Sequence, residues 1–344
     1  MVDRIIASSS SEWRTSARAI FETDLPDTLI QPIGEDLLAV SAEGLTIADV
    51  VQTVTDSPNP FVRHLFREVG RLQVPSRQSL NVVLAEIADI WAKLPVPVPP
   101  TVSLQVWASG SVDLAFRPDT LRRELETMLR EDGAEVFRSG QAQVLSVCVA
   151  GNQILLGLNG VANALSDWPG GQVRLSKPKG QISRAEFKLE ELFRTTDLRP
   201  PGRGLALDLG ASPGGWTRIL RSYGLNVVAV DPGELDPRLG DDRGIRHVRT
   251  TSGPFLAETT ETFDMVVNDM RMDPAMSVSL MIDAAQHLRP SGMLIVTLKL
   301  THHAAIRTIR NATDRLAEVV DIRFVRQLHH NRNEVTAVGT RPDA

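Results

Sequence analysis

Residues 205–220 read LALDLGASPGGWTRIL, and this stretch decides the fold. An apolar run ends in Asp208, Gly210 permits a tight turn, and Gly214 with Gly215 lets backbone approach a ligand before a helix begins near Trp216. No Gly-Lys-Ser/Thr follows, so it is not a nucleoside-triphosphate loop, and GASPGG lacks the GxGxxG register of dinucleotide folds. Downstream come NVVAVD (226–231), DMVVND (264–269) and GMLIVTLKL (292–300), separated by helix-length segments. Apolar strands buried on both faces with helices between them predict a mostly parallel sheet covered on both sides. Ligands of such sheets lie outside the carboxyl ends of the strands.

Those ends carry the chemistry. Asp231 closes NVVAVD, placed to accept hydrogen bonds from ribose hydroxyls of a nucleoside ligand. Together with Asp208, Gly210, Ala211, Ser212, Pro213, Gly214, Gly215, Trp216 and Asp269 it outlines a site that fits S-adenosylmethionine. Lys299 interrupts a run that should be buried, and an unpaired buried ammonium is costly, so it has a partner or is neutral. A lysine of depressed pKa is what a general base for a weakly acidic hydroxyl needs. Asp269 neutralises lysines here or caps the next helix, and the first reading is preferred. Lys188 lies in SRAEFKLEE (183–191), where Ser183 and Glu186 form a capping-box pattern. From context alone Lys188 reads as a solvated face residue, and Glu334, in HHNRNEVT (329–336), as an edge charge no better than an active one.

The first half is organised differently. DRIIAS (3–8), 28–32 and 37–40 read as strands, 11–21 and 80–94 as helices. The proline-rich stretch 95–100 reads as an extended linker. Beyond it a strand at 102–108, a helix opened by Pro118 and a strand pair around Gly151 and Asn152 complete a second small unit. The single cysteine, Cys148, excludes a disulfide framework and a cysteine-cluster metal site, and reads as a buried strand residue. His302 and His303 alternate faces and lack further ligands, so no metal is expected.

The formal net charge of -5 argues against indiscriminate nucleic-acid coating. It is uneven: residues 1–150 carry 13 basic against 20 acidic groups and residues 151–344 carry 24 against 22. The second half is the better candidate for phosphate contact, and Lys177, Lys179 and Arg184, just ahead of Lys188, are the RNA-contact candidates. His329, His330 and Arg332 are equally well read as a phosphate contact or a polar turn. No apolar run of membrane-spanning length and no signal-peptide pattern is present, which places the chain in the cytoplasm, with a monomer favoured.

Taken in order, SRAEFKLEE, DLGASPGGW, VVNDM, LKL and NEVT resemble the FtsJ-like ribose 2'-O-methyltransferases, over roughly residues 174–340. The resemblance implies a Rossmann-like S-adenosylmethionine-dependent methyltransferase domain and a catalytic Lys188, Asp269, Lys299, Glu334 tetrad. RLSKPKGQISRAEFKLEELF with QLHHNRNEVT is similar to the M-type branch, which acts on a cytidine of 23S rRNA. That branch implies α/β architecture with small α+β domains first: 1–100 ferredoxin-like, 101–172 a THUMP-like RNA-binding domain, then 173–344 catalytic. One departure stands out: Thr250 and Thr251 occupy the place of an acidic residue the family offers to the adenine amino group. Two rivals stay open, a 2'-O-methyltransferase of another RNA such as tRNA, and a protein that binds RNA or S-adenosylmethionine without turnover.

Overall fold

The computed structural model describes residues 3–95 and 97–343; Met1, Val2, Ala344 and Val96, which lies in the proline-rich stretch, fall outside it. The chain divides into two compact units that meet in sequence between Val173 and Arg174.

In the first unit the described residues form β1 (Arg4–Ser8), α1 (Arg14–Asp24), β2 (Leu29–Pro32), β3 (Leu37–Ser41), α2 (Ile47–Asp56), β4 (His64–Gln73), α3 (Leu80–Ala92), β5 (Thr101–Val112), α4 (Pro118–Glu131), β6 (Glu135–Phe137), β7 (Gln143–Gly151) and β8 (Gln153–Gly160). They build one sheet of order β2-β3-β1-β4-β8-β7-β5-β6. β4 joins its halves: His64 to Arg67 pair with β1, and Glu68 to Gln73 pair with β8 across a bulge. The division expected at 100/101 therefore falls inside a continuous structure. α3, assigned by sequence to the first domain, buries Val83, Ile87 and Trp91 in the same core as Leu121 and Leu125 of α4. Each such fully buried side chain contributes about 1.5–3 kcal/mol, which ties α3 to the chain beyond the prolines. Cys148 is fully buried on β7, and burial pushes its thiol well above the ordinary range.

The second unit contains α5 (Glu186–Thr195), β9 (Leu205–Leu209), α6 (Gly215–Ser222), β10 (Asn226–Val230), β11 (Ile245–Val248), α7 (Ser252–Glu258), β12 (Phe263–Asn268), α8 (Pro274–Ala285), β13 (Leu288–Lys299), α9 (Ala305–Leu316), β14 (Asp321–Arg326) and β15 (Glu334–Thr340). Its sheet order is β11-β10-β9-β12-β13-β15-β14. β9 to β13 run parallel, while β15 is antiparallel to both β13 and β14. This is the Rossmann-like α/β architecture expected, with two antiparallel strands closing one edge. The strand interiors are apolar because both faces are covered; Leu207, Val228, Val266 and Val296 are all buried. The order reverses between β9 and β12, whose carboxyl ends open a crevice at the switch point.

α5 corrects one expectation. It begins at Glu186 after a turn, with Ala185 as N-cap and no side-chain cap, so Ser183 does not cap it. Glu186 is fully buried and accepts from Ile182 N at 2.6 Å, Ser183 N at 3.2 Å and the Arg218 guanidinium at 2.7 Å. Its carboxylate serves as an anchor of α5 onto α6.

Candidate active site

The turn from β9 into α6 is shaped by two left-handed glycines, Gly210 at φ 72° and Gly214 at φ 103°. A Cβ at Gly210 would run into Met270, and one at Gly214 into Leu239, so the loop is close-packed as well as strained for other residues. Gly210 N and Ala211 N both donate to Val230 O, at 2.9 and 3.2 Å, which lashes the loop to β10. Asp231, at the end of β10, accepts from Ser212 N at 3.1 Å and Gly233 N at 2.7 Å. It is half-buried, and its carboxylate retains further acceptor capacity.

Not every loop residue faces a ligand. Asp208 is 2% exposed and accepts a 2.6 Å hydrogen bond from Thr217 Oγ1 on α6. Burial pushes its carboxyl up to about 7, the Thr217 hydroxyl opposes this, and Asp269 and Asp231 add to it. Asp208 thus holds α6 to β9 from beneath. Ala211 and Trp216 belong to the apolar core, and the Trp216 indole donates to Ala185 O at 2.8 Å.

The four residues expected to meet do meet. Lys188 Nζ donates to both Asp269 oxygens, at 2.8 and 3.0 Å, and pairs with Glu334. Lys299 Nζ donates to Asp269 at 3.1 Å and to Glu334. Each carboxylate therefore touches both ammonium groups. The backbone explains it: α5 supplies Lys188, the end of β12 supplies Asp269, and Lys299 and Glu334 lie directly opposite each other in the β13–β15 register. Burial pulls the Lys188 ammonium down, yet Asp269 and Glu334 outweigh it and hold its pKa above the ordinary lysine value. The side chain of Lys299 is 24% exposed against 13% for Lys188, 16% for Asp269 and 9% for Glu334, so Lys299 is the most accessible of the four.

Two participants escaped the sequence reading. Thr297 shares the face of Lys299 two residues on; its hydroxyl donates to Asp269 at 2.6 Å and accepts from Lys299 at 2.8 Å. Strand period two was the available signal. Glu191, one turn after Lys188, is 2% exposed and accepts from His329 N at 2.6 Å and His330 N at 2.9 Å. The His330 ring also bonds Glu191 at 2.6 Å and stacks on Phe187 at 4.8 Å. This pins the loop before Glu334 to the helix bearing Lys188, and leaves His330 engaged inside the protein.

Lys177, Lys179 and Arg184 are exposed ahead of α5. Thr251, with Ser252, Met270, Met272, Met276 and Leu280, lines a cavity of about 560 Å³ beside Met270, the residue packed on Gly210. Thr251 brings no acid there; Asp283 is the acid of the lining, beside Met270, Met272 and Met276. Among the described residues no group of three or more His, Cys, Asp or Glu could hold a metal, and no helix is long and apolar enough to cross a membrane.

A mostly parallel sheet, a glycine turn at its switch point, an acid at the end of the next strand and a neighbouring cavity suit S-adenosylmethionine; fold and site define a methyltransferase that uses this donor. The FtsJ-like methyltransferase family model matches residues 181–330, taking in three of the four clustered residues and ending four short of Glu334. The ribosomal RNA large subunit methyltransferase M of Alkalilimnicola ehrlichii is 31% identical over 297 residues, 79% of this chain and 76% of its own length. That of Halorhodospira halophila is 37% identical over 179 residues, 51% of this chain and about half (51%) of its own length. Among solved structures, TrmN from Thermus thermophilus aligns over 98% of this chain and 99% of its own at 16% identity and a TM-score of 0.41. The chain belongs to the FtsJ-like methyltransferases, in the M-type ribosomal RNA large subunit branch.

Proposed function

We propose that this protein methylates a ribose 2'-hydroxyl in 23S rRNA, on a cytidine, with Lys188, Asp269, Lys299 and Glu334 as its catalytic residues. The reading is carried by one observation, the two lysines and two carboxylates that share contacts at the carboxyl edge of the sheet. The names of the relatives, ribosomal RNA large subunit methyltransferase M, support the substrate class.

When bound, S-adenosylmethionine supplies an electrophilic methyl group. The backbone of Gly210 to Trp216, with Asp231 toward its ribose, would hold it, and the methionine-lined cavity suits its base. Lys299, the most open member, would first release its own proton to solvent and then, as the neutral amine, accept the 2'-hydroxyl proton as the oxygen becomes the nucleophile. Lys188, kept charged by its two carboxylates, and Asp269, fixed by Thr297, hold Lys299 in place. Glu334 orients both lysines. Positioning supplies most of the acceleration and proton acceptance about 10²- to 10⁴-fold.

Lys177, Lys179 and Arg184 form the RNA-contact loop, and the first unit serves as the ferredoxin-like and THUMP-like RNA grip, within the cytoplasm. Tritiated donor with rRNA from a strain lacking the gene tests the whole reading. A 2'-O-methyl group protects the following phosphodiester from alkali, so the label must survive in alkali-stable dinucleotides; label released in mononucleotides means base methylation and refutes it. In parallel, calorimetric titration of Asp231→Ala should show donor affinity weakened about tenfold, and equal affinity removes Asp231 from the donor site.

A further inference from the structure

The clustered lysines and carboxylates cancel: two positive groups face two negative ones, each contact already made. Such a cluster offers no net attraction to a polyanion. An RNA ribose brought to Lys299 carries a phosphate on the carbon beside its 2'-hydroxyl, and another on its 5' side. Cations other than Lys188 and Lys299 must meet them.

Two guanidinium groups stand where that need arises. Arg271 follows Asp269 by two residues and Arg332 precedes Glu334 by two, a separation of at most about 7 Å of backbone. In the sheet β13, which carries Lys299, lies between β12 and β15, so the two arginines flank it. Both are exposed, and within the described residues neither has an ion pair or side-chain hydrogen bond. Many other arginines of this unit are committed, Arg218 to Glu186, Arg221 to Asp242 and Arg289 to Asp264 among them.

The backbone beneath each is nevertheless pinned. At Arg271, Met270 N donates to the fully buried Asn268 at 2.8 Å and Met272 N returns to Met270 O at 3.1 Å. Met270 and Met272 both line the cavity, which leaves the intervening residue to solvent. At Arg332, the buried Gln327 donates to its carbonyl at 2.7 Å and Leu300 N donates to Asn333 O at 2.7 Å. With the backbone already fixed, only the side-chain rotamers of each guanidinium remain to be ordered on a phosphate fork.

We propose that Arg271 and Arg332 are phosphate clamps that seat the target nucleotide, one on each side of its ribose. This rests on the RNA-methylating reading above and adds the residues that place its substrate.

The test measures steady-state methyl transfer to rRNA from a strain lacking the gene, at several salt concentrations, for wild type, Arg271→Ala, Arg332→Ala and their lysine counterparts. Each alanine variant should raise the RNA KM roughly tenfold, leave kcat within about twofold, and reduce the slope of log KM against log salt by about 0.7. Lysine should restore most of the slope, because a point charge suffices for it. Arg323→Ala serves as control: on β14 it lies toward the Asp321 end, which pairs with Thr340, away from Glu334. Wild-type KM and salt slope in both alanine variants would overturn the proposal, as would a fall in kcat at unchanged KM. Filter binding of the same RNA separates the two readings. A wild type that binds RNA without transferring methyl refutes the function, whereas alanine variants that bind as tightly as wild type refute the clamps.

Discussion

The two units bury polar groups in opposite ways. In the first, His64 is fully buried on β4, its Nδ1 3.1 Å from Ser166 O and its Nε2 3.1 Å from Ser146 Oγ. A carbonyl only accepts, so Nδ1 carries the proton and the Ser146 hydroxyl donates to Nε2. Burial pushes this ring down to about 4, and Trp107 packs its edge at 5.4 Å, so His64 is a neutral crosspiece. In the second unit, two lysines and two carboxylates share contacts at the open sheet edge. The cost of burial decides between the two: a buried ring without an opposite charge beside it stays neutral, and charged groups persist where an opposite charge is near. A charged cluster with an open neighbourhood is thus a functional signal, whereas a sealed polar group, neutral like His64 or paired like Glu186, is a packing device.

Substitutions can break this contrast, beginning with the largest effect. Asp269→Asn leaves two lysines with one carboxylate; activity should fall on the order of 10²-fold and unfolding free energy by about 3–5 kcal/mol, measured by label transfer and urea denaturation. An unchanged midpoint would mean that the cluster is not electrostatically tight.

Next comes pH. Folded Asp208 binds its proton up to about 7, against 3.8 ordinarily, so its contribution is complete at low pH and is lost as pH rises across that window. The loss is about 4 kcal/mol in all, and Asp208→Asn should abolish it in amide exchange of the second unit. His64 has the reverse sense. The unfolded ring takes its proton below 6.5 while the folded one resists to about 4, so stability is complete above 6.5 and is lost as pH falls through that range. About 3 kcal/mol is at stake; His64→Gln, which keeps an uncharged donor and acceptor, should flatten the exchange rates of β4 and β7 between those limits. Opposite pH trends in the two units are the signature, and parallel trends would erase the distinction. Smallest is Ser146→Ala, which strips one neutral partner from His64 and should cost about 1–3 kcal/mol by thermal unfolding, with label transfer unaffected.

The sequence disclosed these regions unequally for the same reason. LALDLG, NVVAVD and DMVVND announce themselves because strands buried on both faces are continuously apolar, and Asp269 and Lys299 stand out as charges where that run ends. Lys188 and Glu334 have no such contrast, and only the family pattern singles them out. In SRAEFKLEE Glu186 reads as a capping-box acid and Glu191 as an ordinary helix-surface charge; their partners, Arg218 and the loop at His330, are 32 and 139 residues away. Asp208 reads as a ligand contact from its place in the glycine turn, whereas Thr217, nine positions on, claims its carboxylate. In the first unit α2 and β4 went unread. α2 carries a capping box, Thr46 with Asp49, that was available, but β4 changes partners midway and its polar residues satisfy one strand pairing and then another. The linker reading of the prolines took a local signal for a boundary that long-range packing of α3 on α4 does not respect.

The most direct test of the central claim, that the charged cluster at the sheet edge transfers methyl to a ribose hydroxyl, compares alkali-stable label delivered to rRNA by wild type and by Lys299→Ala. The account predicts a loss of about 10²- to 10⁴-fold. Undiminished alkali-stable label from Lys299→Ala would contradict it.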